Sequence, residues 1–462
     1  MTEKKYWNEK IETKSYEEMK EMQFEKLKNQ IHYIYNNSPF YYKKKFDDAG
    51  VKPEDIKTWD DFYNLPIMGN KEMERKSQEE SLARGDDHPF GTFLCAPVEK
   101  VVGITATGGT TGDPTFSYIY TEKDLRINDE IWSRVFWTAG IRPGDFVANI
   151  FALSMHAGGW PVNHALTSFG ACPIPVGAEA GTERILRMLN LFKPAALVGT
   201  APLMEYLIER CPDVLNKEIG ELGIKILLGA GAPGAGIPSI RKKLEDAYGA
   251  KIFDSAGGGQ GAHMVSCDSK EYYGMHINCA DYYIWPGDLI DPETNKPIEL
   301  ADGVIGHAIF TALEHEAKPF FKYGWGDLFQ VFTKECPGCG FKGLRVRIVG
   351  RADEMLIVKG INVYPTAIKG VVNTFLPRVT GEMRIVLDSP GPMVNPPLKL
   401  KVEHGGLDES ERQTLEKEIV DEIKNKLEVR PEVELVAPGT FERAGGVSAK
   451  GALIEKNYET DQ

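Results

Sequence analysis

The chain has no long hydrophobic run and uses cysteine sparingly. No stretch of about 18 apolar residues occurs in it, so a membrane-spanning helix is not expected. The N-terminal residues, MTEKKYWNEK, lack the apolar core of a secretory signal. Seven cysteines are an odd number in a long chain, which fits reduced thiols better than a disulfide framework. We therefore expect a cytoplasmic protein without membrane association.

The chain also has no excess of basic residues. The formal net charge is −13, which argues against the backbone of a nucleic acid as the main partner, although a local basic patch stays open. The chain is 462 residues long. This length is enough for two or more domains and for a large core that folds without disulfides.

The sequence alternates between helical and strand patterns over much of its length. Residues Tyr16 to Asn36 have apolar side chains at helical spacing. From Lys123 onward, apolar strands and amphipathic helices take turns, which indicates a parallel sheet covered on both faces. The predicted helices are 125–138, 183–191, 204–210 and 239–248, and the predicted strands are 146–153, 171–176, 195–199, 224–228 and 251–255. Such sheets bind ligands at the carboxyl ends of their strands.

The pattern changes after about Gly350. Short strands are predicted at 383–387, 398–403 and 433–436, and a helix at 409–427. The Pro/Gly-rich run SPGPMVNPP reads as a loop between two of these strands. The sequence therefore predicts an α/β protein whose large N-terminal part is followed by a small α+β domain of about 110 residues.

A glycine- and threonine-rich turn, ITATGGTTGDPT, lies at Ile104 to Thr115. Its glycines let successive N–H groups point at one spot, and its hydroxyls add donors, which suits a phosphate group. The turn is expected to lead towards a helix. It lacks the lysine of the GxxxxGK[ST] pattern, so an ordinary surface loop is the alternative. Three later segments favour a nucleotide site: GAGAPGAGIP at 229–238, YGWGD at 323–327 and GRADEMLIVKGINVYP at 350–365.

Together these segments resemble the phenylacetate-CoA ligase branch of the adenylate-forming enzymes. The resemblance begins with a leader-like segment at 6–66 and extends over nearly the whole chain. It implies activation of a carboxylic acid, usually an aromatic one, by ATP and Mg²⁺ to an acyl-adenylate, followed by transfer to coenzyme A. It also implies an adenylation domain of mixed and parallel sheets at residues 1–350, a mobile lid at residues 351–462, and a homodimer.

The resemblance also assigns roles to individual residues. Asp327 would accept hydrogen bonds from both ribose hydroxyls, which suits a carboxylate. Arg351 would lie near the ribose and the α-phosphate, and Asp353 at the hinge. The β- and γ-phosphates would bind at Thr107, Gly108, Gly109, Thr110, Thr111 and Gly112. The adenine and α-phosphate segments would include Gly231, Ala232, Pro233, Asp254, Ser255, Ala256 and Gly257.

Three places depart from the family pattern, and all of them weaken the ATP half-reaction. AGGGQ at 256–260 replaces Tyr-Gly-x-Thr-Glu, so Gln260 offers Mg²⁺ a neutral amide oxygen in place of a carboxylate. YGWGD replaces Tyr-Arg-Thr-Gly-Asp. In ERAGGVSAKG, Val447 stands at the family's bridging lysine and Lys450 follows three residues later. In a strand Lys450 would face the wrong side, whereas from a turn it could reach the site.

Two interpretations of these departures compete. The chain is either a working ligase with a rebuilt nucleotide pocket, or a relative that has lost adenylation and binds or transfers an acyl thioester. We expect the ligase. Its catalytic residues would be Lys450, Arg351, Asp353 and Gln260.

The cysteines suggest a metal site. Cys267 and His276 are spaced Cys-x8-His, and Cys336 and Cys339 lie in CPGCG. Three thiolates and one imidazole would make a closed tetrahedral site for structural Zn²⁺. Four unrelated residues of a reduced protein are the alternative, and Cys279 could replace one of the ligands. Such a site would pin the loop after the nucleotide segment to the loop near YGWGD.

The segment NIFALSMHAGGWP at 149–161 falls where the family lines its acyl pocket. Its aromatic and small residues would make a broad apolar slot, with space near the backbone, for a flat aromatic acid. The expected lining is Phe151, His156, Gly158, Gly159 and Trp160. His156 could meet the carboxylate or make a structural hydrogen bond. The helical spacing of Trp132, Phe136 and Trp137 favours a core role for these three.

Overall fold

The computed structural model describes residues 4–107, 115–232, 234–258, 261–292, 294–441 and 453–458. Within them the chain has a mixed α/β fold, with one large sheet covered by helices and smaller sheets towards the C-terminus. The α/β fold class predicted from the sequence is confirmed. Among the described helices, none has the length and hydrophobicity that crossing a membrane requires.

Helices form the N-terminal part of the chain. The helix predicted from Tyr16 begins with a capping box, in which the Ser15 hydroxyl accepts a hydrogen bond from the Glu18 N–H and the Glu18 carboxylate accepts one from the Ser15 N–H. Its buried Leu27 and Ile31 attach it to the main core, as the spacing predicts. These helices are α1 Glu9–Glu12, α2 Tyr16–Asn37, α3 Tyr42–Asp48, α4 Trp59–Tyr63 and α5 Lys71–Arg84.

A β-hairpin follows these helices. Its strands, β1 (Gly103–Thr107) and β2 (Thr115–Tyr120), pair antiparallel, so the glycine- and threonine-rich turn joins two strands. The helix expected after the turn begins only at Glu122. A strand comes first because TFSYIY is rich in β-branched and aromatic residues, which favour extended backbone. Outside the described residues lie Gly108, Gly109, Thr110, Thr111 and Gly112.

Parallel strands and helices alternate through the next part of the chain. The helices are α6 Glu122–Thr138, α7 Trp160–Phe169, α8 Thr182–Phe192, α9 Ala201–Leu215 and α10 Pro238–Tyr248. The strands are β3 Phe146–Asn149, β4 Cys172–Pro175, β5 Ala196–Gly199, β6 Ile226–Gly229 and β7 Lys251–Gly258. They lie in the order β4, β3, β5, β6, β7 and all pair in parallel, as predicted. β3 ends earlier than predicted, because the side chain of Asn149 bonds to the loop that follows.

Antiparallel strands extend the same sheet. They are β8 Ala262–Ser266, β9 Met275–His276, β10 Tyr283–Ile284, β11 Leu289–Ile290, β12 Ile305–Ala312, β13 Tyr323–Phe332 and β14 Arg345–Arg351. Within the described residues, twelve strands from β3 to β14 form this one sheet. In the β13–β14 pair, Asp327 lies directly opposite Arg351.

The C-terminal part has its own small sheets and its own hydrophobic cluster, in which Ile368, Ile385 and Ile419 are fully buried. Its elements are β15 Leu356–Val358, β16 Ile361–Val363, α11 Pro365–Val372, β17 Val379–Leu387, β18 Met393–Val394, β19 Leu398–His404, α12 Glu409–Leu427, β20 Pro431–Val436 and β21 Ile454–Lys456. The segment predicted as a loop contains β18, which pairs with β15. The separate cluster supports a domain boundary near residue 350, which stays a prediction.

Candidate active site

The segment predicted to line an acyl pocket leaves the sheet at the carboxyl end of β3. There the buried Asn149 side chain donates hydrogen bonds to the carbonyls of Gly158 and Gly159, at 3.1 and 3.2 Å. Its own amide oxygen accepts a hydrogen bond from the Phe151 N–H at 3.0 Å. A single side chain thus folds this segment back over the end of its strand.

The same segment is hydrogen-bonded to the hairpin that carries the glycine- and threonine-rich turn. The N–H of Ala106 donates to the carbonyl of Met155 at 2.7 Å. The indole N–H of Trp160 donates to the carbonyl of Ile104 at 3.0 Å. Both bonds involve β1, which ends at Thr107, the first residue predicted to bind phosphate. The predicted acyl-binding segment and the entrance to the predicted phosphate loop are therefore neighbours.

The two glycines of this segment permit close packing and do not leave open space. A Cβ atom at Gly158 would lie 2.7 Å from the ring of Phe151, and one at Gly159 would lie 2.9 Å from the carbonyl oxygen of Ala152. The expected space near the backbone is thus filled by protein. His156 is exposed, and its Nδ1 accepts a hydrogen bond from the Gly158 N–H at 3.1 Å, which fits the structural role considered for it.

The predicted adenine segment follows β6. Gly231 has a φ of +78°, in the left-handed region that favours glycine, and it is exposed beyond the carboxyl end of β6. A Cβ atom there would lie 3.8 Å from the buried ring of Phe151, so the acyl and adenine segments touch. Ala232 is partly buried next to it, and Pro233 lies outside the described residues.

Two side chains in the segment along β7 are bonded within the protein. Asp254 accepts a hydrogen bond from the hydroxyl of Tyr272 at 2.5 Å, and burial raises the pKa of its carboxyl to about 6. The hydroxyl of Ser255 donates to the carbonyl of Met264 at 2.8 Å. Both side chains therefore help to hold β7 in place. Their contact with a nucleotide stays a prediction.

The end of β7 carries the last residues of the predicted nucleotide segment. Ala256 is partly buried and Gly257 is exposed, whereas Gln260 lies outside the described residues. Directly opposite Gly257 in the β7–β8 pair stands His263, which the sequence analysis did not single out. Only the register of the β7–β8 pair identifies His263, because nothing in the local sequence pattern distinguishes this residue from a surface histidine.

The predicted ribose carboxylate and arginine meet across β13 and β14. The Arg351 guanidinium donates to Asp327 Oδ1 and to the carbonyl of Trp325, both at 3.3 Å. The Asp327 and Arg351 side chains are each 27% exposed, so solvent and ligand can reach them. Asp353 follows in the 3-10 turn Ala352–Glu354, and its side chain, like the whole of Lys450, lies outside the described residues.

A buried network anchors the strand that carries Asp327. Glu74 on α5 accepts a hydrogen bond from the hydroxyl of Tyr323 at 2.9 Å and pairs with Lys318. The side chains of Glu74 and Lys318 are fully buried. Removing one partner would leave a charge unpaired in the interior, so this network fixes the backbone of β13 near the site.

The described residues of the predicted nucleotide site do not by themselves make a Mg²⁺ site. The Asp327 carboxylate is engaged with Arg351, and that of Asp254 with Tyr272. Mg²⁺ prefers carboxylate and phosphate oxygens, so ligands for it would have to come from a bound triphosphate or from the segment at Gln260, outside the described residues.

The four predicted zinc ligands come together at one side of the sheet. One ligand atom from each of Cys267, His276, Cys336 and Cys339 lies within 4.8 Å of the others. The sulfurs of Cys267 and Cys336 are 3.9 Å apart, and Cys339 Sγ is 3.5 Å from His276 Nε2. The hydrogen bond from Cys267, together with the neighbouring His276, lowers the pKa of the Cys339 thiol. This donor set fits a tetrahedral zinc ion. Cys279 is buried in the main core and is not part of the group.

Comparison with known proteins gives matches in both parts of the chain. Residues 360–450 match the family model described as AMP-binding enzyme C-terminal domain. Four curated phenylacetate-coenzyme A ligases are 27% to 29% identical to the chain. One of them, from Thermus thermophilus, is 29% identical over 466 aligned positions, which cover 96% of this chain and 98% of the relative.

Solved structures extend the likeness to three dimensions. A 2-hydroxyisobutyryl-CoA ligase in its postadenylation state superposes with a TM-score of 0.86 at 27% identity, covering 98% of this chain and 93% of that one. The same ligase in its thioesterification state covers 99% of this chain and 94% of that one at the same identity, with a TM-score of 0.68. This chain thus superposes better on the postadenylation structure than on the thioesterification structure.

Proposed function

We propose that this chain is an AMP-forming ligase that converts a carboxylic acid, preferably an aromatic or arylacetic one, to its CoA thioester. Its similarity to curated phenylacetate-coenzyme A ligases over nearly its whole length, and the match to the AMP-binding enzyme C-terminal domain, support this. One observation carries the proposal. The strand that enters the glycine- and threonine-rich turn is bonded to the acyl-binding segment at Ala106–Met155 and Ile104–Trp160. Such contacts would bring two anions, the carboxylate and the triphosphate, together.

In the proposed first half-reaction, a carboxylate oxygen attacks the α-phosphorus of ATP and pyrophosphate leaves. Asp327 would accept hydrogen bonds from the ribose hydroxyls, which fixes the sugar. Arg351, beside it at 3.3 Å, would add positive charge near the α-phosphate, where negative charge gathers in the transition state. Lys450 would supply the charge that the family's bridging lysine provides.

In the second half-reaction, the thiol of coenzyme A attacks the acyl carbon and AMP leaves. Residues 351–462 would be the lid that moves between the two steps. Two observations support this: these residues have a hydrophobic cluster of their own, and the TM-score differs between two states of one related ligase. The proposal includes a homodimer, which the family resemblance implies and which sedimentation velocity would test.

A structural zinc ion is part of the proposal. Cys267 and His276 would join the end of β8 and β9 to the loop that carries Cys336 and Cys339, between β13 and β14. When bound, the ion would supply cross-linking and no chemistry on the substrate, because four protein ligands close its coordination. It would fix the position of β8, which pairs with β7 at Gly257, relative to β13, which carries Asp327.

Release of pyrophosphate tests the activity. The protein, ATP and Mg²⁺ would be incubated with phenylacetate, benzoate or 2-hydroxyisobutyrate, with and without coenzyme A, and omission of the acid is the control. We expect acid-dependent pyrophosphate, and a CoA thioester by mass spectrometry when coenzyme A is present. No release with any acid, while phenylacetyl-CoA still binds in calorimetry, would reject the ligase and favour the acyl-thioester binding or transfer protein.

A further inference from the structure

An imidazole lies beside the carboxyl end of β7. His263 pairs with Gly257 in register, and its ring lies directly over that glycine. A Cβ atom at Gly257 would be 2.0 Å from His263 Cε1, so only glycine is compatible with the ring in this position. Gly257 is exposed and His263 partly exposed. Both residues lie at the carboxyl end of β7, the end at which sheets of this kind bind ligands.

A tryptophan of α6 packs against this imidazole. The ring centroids of Trp132 and His263 are 3.9 Å apart. α6 lies along β8, because Asn128, one turn before Trp132, packs against Gly261. Asn128 also donates to the carbonyl of Pro161 at 3.4 Å, the last residue of the predicted acyl-binding segment. The pair thus lies between α6 and the sheet, next to the start of α7.

Both rings carry a buried nitrogen that lacks a hydrogen-bond partner among the described residues. Within the described part of the chain, Trp132 Nε1 and His263 Nδ1 have no hydrogen-bond partner. Trp132 is 1% exposed, so bulk water does not reach it. Trp137, on the same helix, donates its indole N–H to the carbonyl of Lys4. Buried polar groups are normally paired, which points to a ligand or an ordered water at the unsatisfied nitrogens.

The chemistry of the two groups selects among ligands. Desolvation lowers the pKa of His263 to about 3, so the ring is neutral at physiological pH. A neutral imidazole has one donor and one acceptor, and an indole has one donor. A hydroxyl group can accept from Trp132 and donate to His263. An apolar acyl group would leave both nitrogens unpaired, and a second carboxylate would find no positive charge here.

We propose that His263 and Trp132 recognise a hydroxyl group on the acyl part of the substrate, so that the preferred substrate is a hydroxyl-substituted carboxylic acid. This rests on the proposed function, because it names the acid for that activity. Trp132 also stacks on Phe136, with ring centroids 5.2 Å apart, in the same hydrophobic cluster as Phe151. The hydroxyl would thus bind beside an apolar cluster, where an acid that lacks it would leave polar groups of the protein unpaired.

Matched acids test this inference. Phenylacetate would be compared with its 2-, 3- and 4-hydroxy derivatives, and isobutyrate with 2-hydroxyisobutyrate, by kcat/KM for pyrophosphate release. We expect at least one hydroxylated acid to exceed its parent acid by about tenfold or more. The two series distinguish an aromatic from an aliphatic hydroxy acid. In His263→Leu and Trp132→Phe we expect this ratio to fall below about threefold. Trp137→Phe, the same change on the same helix, should keep the parent ratio.

The ratio, and not the overall rate, is decisive, because a merely structural role would lower kcat/KM for both acids alike. Preference for the unsubstituted acid in both series, or a ratio that both variants retain, would overturn the inference. Calorimetric binding of the same acids with α,β-methylene-ATP gives a second readout. If no acid releases pyrophosphate while hydroxylated acids still bind more tightly in a His263-dependent way, the proposed function fails and this inference stands. Equal binding of both kinds of acid would overturn it as well.

Discussion

His307 Nε2 accepts a hydrogen bond from the backbone N–H of Gly326 at 3.0 Å. The β12–β13 pairing shifts register at this point, and Gly326 has a φ of +90°. The histidine therefore closes a bulge directly before Asp327, the residue predicted to hold the ribose. No motif in the sequence pointed to His307, because the interaction joins two strands through a local irregularity.

Replacing His307 should loosen the nucleotide site without touching the nucleotide. In His307→Leu the Gly326 N–H loses its acceptor, so we expect KM for ATP to rise about tenfold while KM for the acid changes little. His307→Gln keeps an acceptor and should recover part of the affinity. His32→Leu, an exposed histidine on α2, is the control. An unchanged KM for ATP in His307→Leu would contradict the assignment.

Asp327 should determine how strongly the enzyme binds the ribose of ATP. In Asp327→Ala we expect KM for ATP to rise by at least one to two orders of magnitude, because the loss of even one hydrogen bond to a charged group costs about 1.5–3 kcal/mol. The parent should also prefer ATP over 2′-deoxy-ATP, and the variant should lose this preference. Asp302→Ala removes an aspartate that pairs with the exposed Lys334. It should leave both KM for ATP and the preference for ATP over 2′-deoxy-ATP unchanged. A variant that still discriminates against 2′-deoxy-ATP would show that another residue holds the ribose.

Glu12 should make stability fall as pH rises. Its burial raises the pKa to about 7, against the opposing effects of the Asn8 N–H and Arg134, while Glu130 and Asp281 raise it further. The native state thus keeps a proton that the unfolded chain loses near pH 4.5, and stability is lost between about pH 4.5 and 7. Glu12→Gln stays neutral, so at pH 8 its free energy of unfolding should exceed that of the parent by up to about 3 kcal/mol.

Denaturant unfolding of the parent and Glu12→Gln at pH 4.5 and pH 8 measures this effect. Glu17→Gln, an exposed residue at the start of α2, serves as control and should follow the parent. If the parent and Glu12→Gln lose the same stability between the two pH values, the buried carboxyl is not the source of the dependence.

The cysteine and histidine cluster should bind one zinc ion per chain. Metal analysis of protein washed with a weak chelator should give about one equivalent, and Cys336→Ser should give less than about half an equivalent with a lower Tm. Cys172→Ser, an exposed cysteine on β4, should keep the metal. Less than half an equivalent in the parent, under conditions in which it is folded and reduced, would count against the site.

Lys450 should act in adenylation and not in thioester formation. Removing one group that stabilises transition-state charge typically slows a reaction by about 100-fold or more, so Lys450→Ala should slow pyrophosphate release on that scale. Conversion of added acyl-adenylate and coenzyme A to thioester should stay near the parent rate. Lys456→Ala, an exposed lysine on β21, is the control. Adenylation at the parent rate in Lys450→Ala would show that the lysine does not replace the family's missing one.

Local patterns determined most of the elements and the resemblance to phenylacetate-CoA ligases. The helix predicted at 409–427 is α12 at the same residues, and the alternation after Lys123 gives the five parallel strands. Both depend on spacing within one segment, where backbone preference and side-chain burial act together. Local pattern gave a wrong prediction in two places. A strand lies between the glycine- and threonine-rich turn and the helix that begins at Glu122. At Gly158 the expected open space is filled by the ring of Phe151, which the sequence cannot show.

Only the tertiary structure decided which distant groups meet. Cys267 and Cys336, 69 positions apart, are brought to 3.9 Å because β8 and the loop after β13 reach the same side of the sheet. His263 meets Trp132 because α6 packs along β8. Sequence spacing records the preferences of neighbouring residues. Strand register and helix packing result from the burial of the whole chain, and they alone place these side chains together.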